Sequence, residues 1–103
     1  MKPIQTMATK LHDYDVAAHL RSPEEMAAYL EAAIEEADGD ASFIAMALGD
    51  IARAKGMTDL SRETGLGRES LYKALSAGGN PQLGTVLKVA KALGLQIHVK
   101  PAA

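Results

Sequence analysis

The 103 residues are enough for one domain, or a small domain with an arm, and their 48% hydrophobic content can fill a core. The absence of cysteine excludes disulfide frameworks, cysteine-ligated zinc and thiol catalysis, and no apolar run approaches the roughly 20 residues of a membrane span. The net charge of −2 argues against a generic polyanion binder, yet it is unevenly spread. Residues 1–39 hold three basic against eight acidic side chains, a net −5, and residues 40–103 hold eight against five, a net +3. Such segregation suggests two jobs or two faces.

Residues 1–13 show no clear periodicity and read as an arm, in which Lys10-Leu11-His12 has the makings of a short strand. No hydrophobic signal core opens the chain, so a cytoplasmic protein is expected. Asp15 to Leu20 suggests one or two helical turns. Ser22-Pro23-Glu24-Glu25 is a helix start: Ser22 caps, Pro23 fits the first helical position, and Glu25 completes a capping box. Met26, Leu30, Ala33, Ile34 and Ala37 then recur at helical spacing, with Glu31, Glu35 and Glu36 off that stripe and Gly39 as the stop. Asp40 is placed to cap a second helix with the stripe Ile44, Ala47, Leu48, Ile51 and Ala52, closed by Gly56. Thr58 is placed to cap a short helix ending at Thr64, and Gly65 stops it. A further helix begins near Arg68, with Leu71, Ala74 and Leu75 inward. Ala77-Gly78-Gly79-Asn80-Pro81 is a loop. The last helix runs from about Leu83 to Leu93 on the stripe Leu83, Val86, Leu87, Ala90 and Leu93. Beyond Gly94, Leu95, Ile97 and Val99 alternate with Gln96, His98 and Lys100, which is strand spacing. A lone strand cannot satisfy its backbone, so it needs the arm or the same strand of a second subunit. The expected architecture is all-α, five helices and a terminal strand. Residues 1–39 form the arm and acidic helix, 40–94 the helical domain, and 95–103 the strand and tail.

The stretch with functional content is Met57 to Ser76, MTDLSRETGLGRESLYKALS. Two short helices joined by Gly65-Leu66-Gly67 have the form of a helix-turn-helix. Gly65 suits a left-handed exit from the first helix, Leu66 plugs the gap, and Ser61 is small where the helices approach. With Leu71 and Leu75 anchored inward, Glu69, Tyr72, Lys73 and Ser76 fall on an outer face at i, i+3, i+4 and i+7, with Arg68 beside them. A major groove admits such a helix. There Arg68 or Lys73 would donate to guanine, Glu69 would accept from cytosine, and Tyr72 would reach a phosphate or a thymine methyl. Thr58, Arg62, Ser76, Asn80, Gln82 and Thr85 flank that face at turns and helix ends and are candidate phosphate contacts, which set register rather than sequence. The same spacing also occurs in helical proteins that never meet DNA. Gly67 is a poorer helix cap than Ser, Thr, Asn or Asp.

The order ALGDIARAKGMTDLSRETGLGRESLYKALSAGGNPQLGTVLKVAKALGLQI resembles the addiction-module antidote proteins, and YDVAAHLRSPEEMAAYLEAAIEEADGDASFIAMALGDIARAKGM looks like the same family. The resemblance covers about residues 10–100, and RETGLGRESLYKAL and GNPQLGTVLKVAKALGL are its most specific pieces. It implies a small antitoxin with a lambda-repressor-like helix-turn-helix, related to HigA-type antitoxins. Such a protein is encoded beside a RelE/ParE-like toxin that it neutralises, and it represses their shared operon. By the same resemblance Arg68, Glu69, Ser70, Tyr72 and Lys73 map to the recognition helix. Family members usually have Ser where this chain has Gly67.

The expected partners are operator DNA, a small basic toxin and a second copy of the chain. One short recognition helix gives limited specificity, whereas two placed about 34–36 Å apart read a palindrome. Leu95, Ile97 and Val99 are the candidate dimer interface. Glu24, Glu25, Glu31, Glu35 and Glu36 form either a surface for the basic toxin or simply a solvated helix face. No cofactor, metal site, small-molecule substrate or catalytic residue is expected. His12, His19 and His98 lack ligand spacing, and no HExxH, phosphate loop or nucleophile elbow appears. The adjacent acid pairs Glu24/Glu25 and Glu35/Glu36 point apart on their helix and make poor acid/base dyads. Two alternatives remain beside the antitoxin. One is a helix-turn-helix regulator without a toxin partner, the other a protein-interaction module that does not bind DNA.

Overall fold

The computed structural model describes residues 20–102. The arm, the possible strand at Lys10-Leu11-His12, the turns expected over Asp15 to Leu20 apart from Leu20 itself, and His12 and His19 lie outside the described residues. Five helices and no strand occur among those described: α1 (Pro23–Ala37), α2 (Ala41–Lys55), α3 (Met57–Thr64), α4 (Arg68–Ala74) and α5 (Leu83–Ala92). None of them is long and apolar enough to cross a membrane.

Side-chain caps explain where two of the five helices begin. Ser22 Oγ accepts the Glu25 N–H at 3.1 Å, and the Glu25 carboxylate accepts from the Ser22 hydroxyl and the Arg21 N–H. The capping box thus reaches one residue further back than the usual reciprocal pair. Asp40 Oδ1 accepts the Ser42 N–H at 3.0 Å and starts α2. The stop of α1 falls on Asp38, which is left-handed at φ 48°, with Gly39 following at φ 90°. Asp is among the few non-glycine residues that visit this region. A single residue, Gly56 at φ 113°, separates α2 from α3. It occupies the cap position of α3 with no side-chain bond, so Thr58, expected as the cap, lies within the first turn.

The core joins Leu48 and Ile51 of α2, Leu60 of α3, Leu71 of α4 with Leu75 just beyond it, and Val89 of α5, all fully buried. Leu20, Met26, Ala52, Met57 and Leu93 complete it, and α1 lies across α2 with Tyr29 and Leu30 packed on the same cluster. Two apolar stripes are rotated from the expected ones. In α5 the inward arc is Val86, Val89, Ala90 and Leu93, while Leu83 and Leu87 stand out at 72% and 48% exposure. At 100° per residue those two leucines fall on the flank of that arc rather than at its centre. Ile34 is likewise at the rim of the α1 arc and 51% exposed.

The terminal strand expected over Leu95–Lys100 is not formed. Leu95 packs on the core, and its N–H donates to the Ala90 carbonyl at 2.8 Å, while Ile97 and Val99 are exposed. A ladder requires a second strand, and the described residues of one chain contain none.

Two contacts of α2 organise the packing. Gly49 is buried in mid-helix, and a Cβ built on it would overlap the carbonyl oxygen of Leu75. The helix backbone therefore lies directly against the chain leaving α4. Beside it Asp50, 5% exposed, accepts the Tyr29 hydroxyl at 2.6 Å and faces Arg53 at 3.7 Å. The first bond ties α1 to α2 through a buried carboxylate. Burial, then the hydrogen bond to Asp50, then its negative charge raise the pKa of Tyr29 well above the ordinary tyrosine value.

Gly49→Ala should destabilise the chain by about 1–3 kcal/mol through overpacking. At the unobstructed Gly84, where nothing lies within 4 Å of a notional Cβ, the same change should give up to about 1 kcal/mol of added helix propensity. Denaturant midpoints of the two variants, read against the parent, check the opposite signs.

Tyr29→Phe should cost about 1–2 kcal/mol, the lower part of the range for a bond to a charged acceptor because Tyr29 is only half-buried. The raised pKa means that this contribution is fully present below the unfolded tyrosine value of about 10 and is lost as pH rises above it. The stability gap between parent and variant, measured by urea unfolding at pH 8 and at increasing pH above 10, should therefore narrow in alkali.

Candidate functional site

The functional stretch of the sequence folds as α3, a three-residue turn and α4. Gly65 ends α3 in the left-handed region at φ 75°, and its N–H donates to the Ser61 carbonyl. Ser61 Oγ donates to the Leu66 carbonyl from the other side of the turn. Thr64 Oγ1 donates to the Leu60 carbonyl and accepts the Leu66 N–H at 3.2 Å. Leu66 is left half-buried against the core. These short bonds fix the angle at which α4 departs. Gly67 holds the cap position of α4 in an extended conformation with no side-chain bond, so the weak cap implied by the sequence is present in the fold.

α4 has seven residues, too few to persist as an isolated helix. Leu71 and Leu75 hold it. Full burial of two such side chains contributes about 3–6 kcal/mol, and Gly49 supplies the close seat for its final carbonyl. With these anchors inward, Arg68, Glu69, Ser70, Tyr72 and Lys73 are all exposed. The Arg68 guanidinium lies over the Tyr72 ring at 5.9 Å from its centroid, a cation–π spacing. That contact orients a planar donor and a phenol on the same outer surface. Glu69 in the first turn and Lys73 in the last also suit the helix dipole, so the two charges have a local role besides any external one.

The residues expected to flank this face divide into two groups. Asn80, Gln82 and Thr85 come together around an open cleft of about 190 Å³ between α4 and the start of α5, which Ser70 of α4, Leu66 and Leu71 also line. The Gly78 N–H donates to Ser42 Oγ at 2.7 Å and ties the preceding loop to the start of α2. α5 begins at Leu83 without a side-chain cap, so the polar side chains around the cleft stand beside uncapped backbone N–H groups. Thr58 and Arg62 do not line this cleft. They are exposed one turn apart on α3, where Arg62 faces Asp59 at 3.3 Å. Ser76 donates to the Lys73 carbonyl at 3.0 Å and so closes the end of α4. Leu95, Ile97 and Val99 are not alike: the first is seated on the core, the others are free of it.

Sequence reasoning missed Asp50 and the close approach at Gly49. A signal for both was present in Ala47-Leu48-Gly49-Asp50-Ile51. A glycine inside a strong helical pattern lowers helix propensity and calls for a packing reason. A carboxylate amid apolar neighbours calls for a buried partner.

A family model described as "Probable addiction module antidote protein" matches residues 10–101. An uncharacterized protein of Haemophilus influenzae is 50% identical over 94 residues, which covers 91% of this chain and 95% of that one. No solved structure matches the chain.

Proposed function

The chain belongs to the probable addiction module antidote proteins, and from that premise we propose that it is the antitoxin of a type II toxin–antitoxin module, acting in the cytoplasm. In this reading it binds operator DNA as a dimer, represses its own operon and neutralises a RelE/ParE-like toxin, with no catalytic role. The observation that carries the DNA half is the division of α4: Leu71 and the following Leu75 fully buried, and every other polar or aromatic side chain from Arg68 to Lys73 exposed. A lambda-repressor-like helix-turn-helix makes that division, because the second helix must be held rigidly from behind while it enters the major groove.

Arg68, Glu69, Ser70, Tyr72 and Lys73 then meet base edges. The cleft residues Asn80, Gln82 and Thr85, with Thr58, Arg62 and Ser76, meet phosphates. Residues 40–94 are the DNA-binding domain, residues 1–39 the part left for the toxin, and residues 95–103 the dimerisation tail. The exposed Ile97 and Val99 and the alternation of the tail support the last assignment. Two copies of an unpaired strand can satisfy each other about a two-fold axis, with Leu95 linking the ladder to each core.

Arg68→Ala and Lys73→Ala should each weaken binding to the DNA upstream of the operon by about 1–3 kcal/mol while leaving the thermal melt of the free protein nearly unchanged. Gel shifts over a salt series check this, since phosphate contacts give a steep loss of affinity with salt. Equal affinity in both variants removes α4 from the groove. A salt-insensitive or absent shift moves the chain to an interaction module that does not bind DNA. A shift with no toxin partner makes it a plain regulator.

Ile97→Asp places a charge in the proposed two-fold ladder and should convert the dimer to a folded monomer. Sedimentation mass together with circular dichroism tests this; an unchanged dimer mass refutes the strand assignment.

A further inference from the structure

α1 has an outer face that the core does not use. Glu24, Ala28, Glu31 and Glu35 follow one another at i, i+4, i+7 and i+11, and Ala27, Glu31, Ile34 and Asp38 form the adjoining row; all are exposed. The helix contains no Lys or Arg. Among the described residues no ion pair engages Glu31, Glu35 or Asp38.

Two features separate this face from an ordinary solvated one. Its carboxylates continue to the carbonyl end of the helix, where the macrodipole is negative and cations are the favourable residues; Glu35 and Asp38 stand there with no basic residue in the last turn. Folding alone disfavours that placement. A large apolar side chain, Ile34, is 51% exposed at the edge of the same face, one turn beyond Glu31. An apolar contact bordered by charges of one sign fits a protein surface of the opposite sign, because complementary potentials steer encounter and fix register. It does not fit DNA, which the carboxylates repel.

We propose that this face of α1, centred on Glu31, Ile34 and Glu35, is the docking surface for the toxin, and that the toxin meets it with a cationic patch enclosing an apolar seat for Ile34. The assignment rests on the antidote reading above. It places the two partners on different helices: α1 packs chiefly on α2, and α4 presents the exposed Arg68 and Lys73.

The test uses the full chain and the product of the neighbouring reading frame, co-expressed with a tag on only one of them. The wild-type pair should co-purify, with an affinity that falls as salt rises. Glu31→Lys/Glu35→Lys should weaken the pair by about tenfold or more and at the same time raise the thermal midpoint of the free chain slightly, since the change at Glu35 places a cation in the last turn of α1. Glu31→Gln/Glu35→Gln, which removes the charges without reversing them, should give a smaller loss in the same direction. Ile34→Ser should weaken the pair without changing its salt dependence. Full binding by the reversed variant overturns the surface and leaves the antidote reading standing. Failure of the wild-type chain to bind its neighbour's product overturns both.

Discussion

The backbone contact between Gly49 and the carbonyl of Leu75 sets the position of everything on the outer surface of α4. A seven-residue helix has too little internal cooperativity to choose its own orientation. It is placed by what it rests on. Leu71 and Leu75 fix it from behind, and the missing side chain at Gly49 lets the end of the helix come down onto α2. A larger residue there would lift that end and swing Arg68, Tyr72 and Lys73 together. The turn bonds of Ser61, Thr64 and Gly65 fix the other end. Rigid presentation of the outer side chains therefore follows from a small number of close contacts rather than from a large core.

The next residue along α2 serves the opposite side of the molecule. Asp50 receives the Tyr29 hydroxyl and so couples α1 to the helix that seats α4. A buried carboxylate is costly without such partners. Its value here is directional, because the hydrogen bond permits one rotation of α1 on α2 whereas the surrounding leucines and alanines would accept several. That rotation decides which side chains of α1 are outward, and it leaves the carboxylates and Ile34 facing away from the core.

Local chemistry made much of this legible in the sequence. Ser22, Pro23 and Glu25 announce the start of α1, Asp40 that of α2, and Gly65 the end of α3, because capping involves residues two to four positions apart and needs no tertiary knowledge. The inward placement of Leu71 and Leu75 follows in the same way from a short helix with only two large apolar residues. Where a helix carries more apolar residues than its buried arc can hold, periodicity alone does not choose among them. α5 offers Leu83, Val86, Leu87, Val89, Ala90 and Leu93, and the neighbours of the helix select Val89 over Leu87. Ile34 lies outside the α1 arc for the same reason. The tail is a different case. Its alternation describes a preference for strand, but a strand exists only where another strand pairs with it, and that information lies outside one chain. Asp50 and Gly49 were hidden because each acquires its role from a residue more than 20 positions away.

The charge segregation gains its physical content from this arrangement. A net −5 before residue 40 and +3 after it would largely cancel if the two signs were interspersed. Instead the uncompensated carboxylates ride on α1, and Arg68 and Lys73 stand on α4, with α2 between the two elements. Fields from exposed charges fade over a Debye length of about 8 Å at physiological salt, less than the thickness of two packed helices at roughly 10 Å each. Each face therefore acts on its own surroundings with little penalty from the other. A chain with nearly neutral total charge can in this way present a surface suited to a polyanion and another suited to a polycation. In the proposed reading, the low net charge, which by itself counts against nucleic-acid binding, is the sum of two local specialisations.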